Sequence, residues 1–403
     1  WGFFPGVSAA WRISEEPFLS SWEHLDDLKF RGSIGKIGND AIAAFQHLRL
    51  YTLGNTGMSF GEPPVAEQGL EQGVTPNPNI TWEVATTYNL GVDASFWNGM
   101  LGIEGNVFKQ RRSNILALRN LAVPVFTGLN LPYENIGIAE NKGFDLQLSH
   151  ANNVNGISYR IAANVTYARS KIIDIDEAPN VPEWQKAEGH VIGADRYYQA
   201  LGIIRTAEQF DEVVKYPGTR IGDLYYKDVD QNGVIDSNDR LRIDRTNTPE
   251  VMFGTNLSMN YKGFSLWANF AGATRVWQYF HVNARVAINQ LEDVILNRYT
   301  DGSMDSKYPR LPTIETQTEP SGLHSTFWLM DATYLRLKTL EFSYNLPEEW
   351  LSVLNVGDLR VFVNGNNLFT IDKLKWNDPE SASITNSNYP QQKIYNLGFN
   401  LTF

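Results

Sequence analysis

The segment Lys393 to Phe403 places Tyr395, Leu397, Phe399, Leu401 and Phe403 on one parity and Asn396, Gly398, Asn400 and Thr402 on the other. Side chains of a strand alternate with a period of two, so this segment predicts a strand with one apolar and one small polar face. In a soluble sandwich the apolar face would meet a second sheet. In a membrane barrel it would meet lipid, and the polar face would meet a wet lumen. An aromatic final residue with no polar tail after it favours lipid, because the termini of soluble domains trail into water.

The same alternation recurs at Leu28 to Ile37, Trp82 to Trp97, Met100 to Gln110, Asn141 to His150, Ile157 to Ala168, Val251 to Tyr261, Phe264 to Ala273, Tyr334 to Tyr344 and Leu359 to Phe369. In Ile157 to Ala168 an apolar row (Ile157, Tyr159, Ile161, Ala163, Val165, Tyr167) carries an aromatic near each end, as suits two membrane interfaces. The apolar parity slips between Leu337 and Leu340, which predicts a bulge. With Val7 to Ile13 at the start, roughly eleven strands follow, most near the 9–11 residues a tilted membrane strand needs.

The connections sort into two kinds. Phe96 to Gly99, Asn152 to Gly156 and Tyr261 to Gly263 are tight turns rich in Gly and Asn, which tolerate positive φ. Between them lie the long segments Gly38 to Ile80, Arg111 to Glu140, Ser170 to Glu250, Thr274 to Asp331 and Asp372 to Gln392. If the C-terminus is periplasmic, every long segment is extracellular and every tight turn periplasmic, with Ser14 to Asp27 and Pro347 to Gly357 as longer periplasmic links. A soluble sandwich has no reason to sort its loops this way. Bacterial barrels have even strand numbers, so the expectation is the C-terminal half of a transmembrane antiparallel β-barrel of about 22 strands, a size that needs a plug. The plug and the N-terminal strands would then belong to a part absent from residues 1–403. The start, Trp1-Gly2-Phe3-Phe4-Pro5, has no signal-peptide pattern, which also suggests a fragment.

Composition narrows the partners. A formal charge of −11 without a basic stretch disfavours nucleic acid. The absence of cysteine removes disulfides, Cys-type zinc sites and thiol nucleophiles. No run of about 18 apolar residues exists to form a membrane helix. Enzyme signatures are missing as well: His24, His47, His150, His190, His281 and His324 show no HExxH spacing, and no GxSxG or phosphate-binding glycine loop is present. Acidic pairs such as Asp223 with Asp228, or Glu315 with Glu319, can be picked from any acidic chain.

One stretch carries ligand chemistry. Asp228, Asp230 and Asn232 at loop positions 1, 3 and 5, Gly233 at 6, the Val234 carbonyl at 7, Asp236 at 9 and Asp239 at 12 reproduce the spacing of an EF-hand loop. Alternate oxygens around a Gly turn converge on one hard cation, so Ca2+ in a structural role is expected. Position 12 is Asp where bidentate binding prefers Glu, flanking helices are not evident, and a ligand-free Asx turn is the alternative. Trp184, Tyr197, Tyr198, Trp277, Tyr279 and Phe280 in the long loops are candidate substrate or lid contacts, because sugars stack on aromatic faces and peptides pack against them; local packing is the alternative.

Several motifs in order carry a resemblance: Phe4-Pro5-Gly6-Val7-Ser8, Asn77 to Glu83, Glu140-Asn141-Lys142-Gly143-Phe144-Asp145, Asp228 to Asp239, Tyr334 to Lys338, Asn364 to Phe369, Asp378-Pro379-Glu380-Ser381 and Tyr389-Pro390 to Phe403. Together they resemble the C-terminal barrel of SusC-like TonB-dependent outer-membrane transporters of Bacteroidetes. The resemblance implies import of oligosaccharides or peptides, energised by TonB–ExbB–ExbD through the absent part, with a SusD-like surface lipoprotein as lid and outer-membrane lipid around the wall. A passive porin-like or structural barrel, and a secreted calcium-dependent carbohydrate-binding β domain, stay open as alternatives.

Overall fold

A computed structural model describes residues 2–54, 59–66, 68–118, 131–280, 291–311, 319–354, 356–374, 377–381 and 391–402. Phe403 and Tyr389-Pro390, singled out above, lie outside the described residues. Eleven strands form one antiparallel sheet in sequential order. They are β1 (Gly6–Arg12), β2 (Leu25–Asn39), β3 (Glu83–Phe96), β4 (Leu101–Leu118), β5 (Tyr133–Val154), β6 (Ile157–Asp174), β7 (Val251–Tyr261), β8 (Phe264–Thr274), β9 (Tyr334–Asn345), β10 (Asp358–Asp372) and β11 (Ile394–Thr402). Among the described residues no helix is long and apolar enough to cross a membrane, which says nothing of crossing by strands.

The register explains the alternation. Phe30, Val92, Gly105, Leu146, Val165, Phe253, Gly272, Leu335 and Ile371 follow one another from β2 to β10 along a single ladder row, so the apolar parities of all these strands share one face. On β11 Tyr395 is 72 %, Leu397 78 % and Phe399 68 % exposed, so no second layer of described residues lies over them. The opposite face is polar and cross-linked by side-chain hydrogen bonds. Arg31 grips Asp93 at 2.9–3.1 Å, Thr166 donates to Asp145 at 2.8 Å, Asn269 to Asn256 at 2.7 Å and Asn396 to Asn364 at 2.8 Å.

The bulge falls where the parity slips. Asn269 pairs with Thr339 while Phe270 pairs with Leu337, which leaves Lys338 outside the ladder and keeps Leu335, Leu337, Leu340 and Phe342 on the apolar face. The tight turns adopt left-handed backbone at Trp97-Asn98-Gly99, Asn155-Gly156 and Lys262-Gly263, the geometry that suits the twist of a hairpin. The Asp26 carboxylate caps the first of them, accepting from the Asn98 and Gly99 amides at 2.9 and 2.8 Å.

Arg111 to Glu140 is not a loop throughout. β4 and β5 continue pairing to Leu118 and Tyr133, with irregularities between Arg112 and Leu116. The 22-residue β5 is roughly 75 Å long at 3.4 Å per residue, about twice what a 25 Å band needs at 45° tilt. Its upper part stands clear of any bilayer, where no contrast between lipid and water enforces alternation.

The main buried cluster lies in the long connections and not in the wall. Tyr198, Ile203, Leu224, Tyr226, Ile235, Phe280, Val294, Tyr299, Tyr308, Leu323 and Trp328 pack into one cluster drawn from the segments after β6 and β8. Those two segments therefore fold as one body at one end of the sheet.

Candidate divalent-cation loop and aromatic pocket

In the loop after β6 the backbone turns at Gln231 and Gly233, with φ of 59° and 83°. The turn brings carboxylate oxygens of Asp228, Asp230 and Asp239 within 4.8 Å of one another. Buried Asp239 accepts from the Val229 and Asp236 amides at 2.7 and 2.8 Å, and Asp228 Oδ2 accepts from Gly233 at 2.8 Å. Asp228 Oδ1 is buried without a hydrogen-bond partner, an acceptor that a cation would satisfy. Desolvation and the neighbouring Asp239 and Asp228 charges raise the Asp230 pKa against the opposing bond from the Asn232 amide.

Two of the remaining expected ligands make hydrogen bonds within the loop. Asn232 donates to Asp230 at 3.0 Å and accepts from the Val234 amide at 2.8 Å. Asp236 caps the turn Ser237–Asp239. The Val234 side chain is exposed, while its neighbour Ile235 anchors the loop in the core. Trp184 braces the same loop: its Nε1 donates to the Asn238 carbonyl at 2.7 Å, beside Gln185 at 2.9 Å.

Three of the candidate aromatics meet. Tyr197, Trp277 and Tyr279 line a cavity of about 200 Å³ with Asp195, Arg245 and His324. His324 stacks on Tyr197 and meets Tyr279 at a 40° tilt, with ring centroids 4.3 Å from each, and the Arg245 guanidinium sits 4.2 Å from the Trp277 ring centroid. His324 Nε2 lies 3.2 Å from Asp195 Oδ2, and the contact holds the Asp195 carboxyl at about 2. Burial pushes the Tyr197 hydroxyl up to about 12. Such a cavity offers aromatic rings, one cation and one carboxylate. Tyr198 and Phe280 are in the core cluster instead, where Tyr198 packs on Tyr226 and Phe280 on Trp328.

Sequence reasoning missed Asp195, Arg245 and His324, which belong to separate segments with no shared spacing. It also missed a junction between two loops. Arg336, 2 % exposed on β9, binds Glu380, Asp378 at 2.6 Å, Gln391 at 2.7 Å and Thr370 at 2.8 Å. Gln278 beside the pocket donates to the carbonyls of Asp378, Pro379 and Ser381 at 2.6–3.2 Å.

A sheet with an exposed apolar face, a hydrogen-bonded polar face and its core displaced to one end is the wall of an outer-membrane β-barrel. The chain belongs to the TonB dependent receptor-like, beta-barrel family, whose model matches residues 1–368. It is SusC-like, in a family of transporters and receptors. Over 417 residues it is 26 % identical to TonB-dependent receptor SusC of Bacteroides thetaiotaomicron, covering all of this chain and 40 % of that protein. With TonB-dependent receptor P26 of Formosa agariphila the identity is 25 % over 432 residues, or 42 % of that protein. The solved RagAB peptide transporter is 25 % identical at a TM-score of 0.77, covering 99 % of this chain and 43 % of that one. The chain thus spans about two fifths of the length of these relatives.

Proposed function

We propose that this chain is the C-terminal wall and extracellular cap of an energy-coupled importer of oligosaccharides or peptides. The observation that carries the reading is the two-solvent sheet with its folded core built only at the end where the long connections gather. In this reading the long connections are extracellular, the C-terminus is periplasmic, and plug, remaining strands and the contact with TonB–ExbB–ExbD lie in the rest of the protein. A SusD-like lipoprotein would close over the cap. The likeness to a peptide transporter supports peptide cargo, and the likeness to SusC is equally close.

The pocket of Tyr197, Trp277 and Tyr279 would hold part of the cargo, and a hard divalent cation such as Ca2+ on Asp228, Asp230 and Asp239 would clamp the cap. Energy coupling and the pocket are tested in cells carrying the full-length transporter. Uptake of labelled oligopeptides and oligosaccharides is measured with and without a protonophore. Loss of uptake on energy depletion supports the proposal, and Trp277→Ala should raise the half-saturating concentration about tenfold for an aromatic contact worth 1–1.5 kcal/mol. Uptake that persists unchanged without energy would identify a passive pore instead.

A further inference from the structure

The register of β2 to β6 sets cations at one level of the apolar face. The row Gly32, Leu90, Val107, Phe144 and Tyr167 is almost wholly apolar. One step further from the tight turns, on the same face, the row reads Ile34, Tyr88, Lys109, Lys142 and Arg169. The step after that reads Lys36, Thr86, Arg111, Glu140 and Lys171. Lys36, Lys109, Arg111, Lys142 and Lys171 are all exposed.

This grouping opposes ordinary sheet design. Lys109 lies directly opposite Lys142, an arrangement that destabilises pairing unless an anion is near. Glu140 is the one acid in the two rows and takes Lys109 at 2.8 Å, while Arg169 turns to Asp244 and Glu250 at 2.6 and 2.7 Å. Among the described residues no ion pair forms at Lys36, Arg111, Lys142 or Lys171. In a chain of net charge −11 the belt runs against the overall balance.

Its height is also defined. From Leu101 to Lys109 β4 rises roughly 27 Å along its axis, or about 21 Å along the barrel axis at a 40° tilt. An apolar band is about 25 Å tall, so the cations begin where hydrocarbon gives way to headgroups on the long-loop side.

We propose that this belt binds the phosphate of a phosphorylated lipid headgroup in the outer leaflet, with the acyl chains lying along Leu90, Val107 and Phe144. The proposal rests on the outer-membrane reading. It is continuous with the lipid-facing surface and needs an anion anchored at that surface.

The test places the full-length transporter in phosphatidylcholine nanodiscs doped with phosphorylated lipid A or with its dephosphorylated form, and measures lipid retained through purification by mass spectrometry. Wild type should retain the phosphorylated form preferentially. Each cation near a membrane surface is worth about fivefold, so Arg111→Gln with Lys142→Gln and Lys171→Gln should cut the preference by roughly tenfold or more. Lys142→Arg with Lys171→Arg should keep it, as should the charge-matched loop variant Arg220→Gln, Lys227→Gln and Lys307→Gln. Equal retention of both lipids by an inserted wild-type protein overturns the proposal, even if the triple variant does not fold. Displacement of lipid A by millimolar inorganic phosphate as readily as by free lipid A would also overturn it, since a free-anion site would then suffice. Failure to insert into either nanodisc would count against the outer-membrane reading itself.

Discussion

Leu397 and Asn396 are neighbours on β11, yet their substitution by Arg should differ sharply in cost. Leu397 is 78 % exposed on the apolar face. It lies roughly 13 Å along the barrel axis from Thr402, taking five residues of strand at 3.4 Å and a 40° tilt, which is close to the middle of a band about 25 Å tall. An Arg at the bilayer midplane of a barrel costs about 2–4 kcal/mol, whereas near the interface it costs about 0–1 kcal/mol. Leu397→Arg should therefore lower the folding equilibrium about a hundredfold, and Leu401→Arg, near the edge of the band, fivefold at most. Asn396 faces the other way and bonds Asn364 at 2.8 Å. Its replacement by Arg loses that bond, worth about 1 kcal/mol, and meets a wet lumen with no desolvation cost. The assay is guanidinium titration of the full-length transporter in vesicles, with folded barrel scored by heat-modifiable gel mobility. Equal costs at Leu397 and Asn396, or a larger cost at Asn396, would refute the assignment of faces.

The cap yields three further predictions. Asp239→Asn removes a buried carboxylate from the Asp228, Asp230 and Asp239 group; calcium should then no longer slow proteolysis of the 228–239 segment. In wild type that protection should fail on acidification from above the ordinary carboxylate value, because the raised Asp230 group must ionise to bind a cation. Arg336→Met strips the cationic partner from Asp378 and leaves Glu380 with Lys338 and Tyr334 alone; breaking a buried pair costs about 3–5 kcal/mol, here confined to this turn, so limited proteolysis should find the 377–381 segment newly accessible while the barrel stays folded. Asp195, held at about 2 by His324, adds stability that is complete above the ordinary value near 4 and fades as the pH falls from about 4 to about 2. Fluorescence of Trp277, which lines the same cavity, should report that transition, and Asp195→Asn should abolish it.

How much of this could be read in advance depended on whether one physical contrast acts residue by residue. Lipid on one side and water on the other impose the parity of Val251–Tyr261, and its bounds agree with the expected segment to the residue. The same contrast exposed the bulge beside Leu337, since only an extra residue keeps Leu337 and Leu340 on one face. Beyond the apolar band the contrast vanishes, and the far parts of β4 and β5 carry no alternation to mark them as strands. The Asp228 to Asp239 group was legible because its members share one short turn. The core around Trp328 and Leu224 was not, being assembled from segments about a hundred residues apart with no common period.

The junction at Arg336 shows what a motif can conceal. Tyr334 to Lys338 and Asp378 to Ser381 stood out in the chain as two separate marks of resemblance, with nothing to connect them. In the structure they are one feature. Tyr334, Arg336 and Lys338 all bind Glu380, and Gln278 holds the backbone of the same turn from the pocket side. Arg336 projects from the polar face of the wall, so the turn it holds leans over the lumen and not over lipid. The 377–381 turn is thereby fastened both to the wall and to the strand that carries Trp277 and Tyr279. A ligand that moved Gln278 would disturb three hydrogen bonds to that turn at once. Under the proposed import, occupation of the aromatic pocket would be coupled to that turn through contacts already made, with no hinge required.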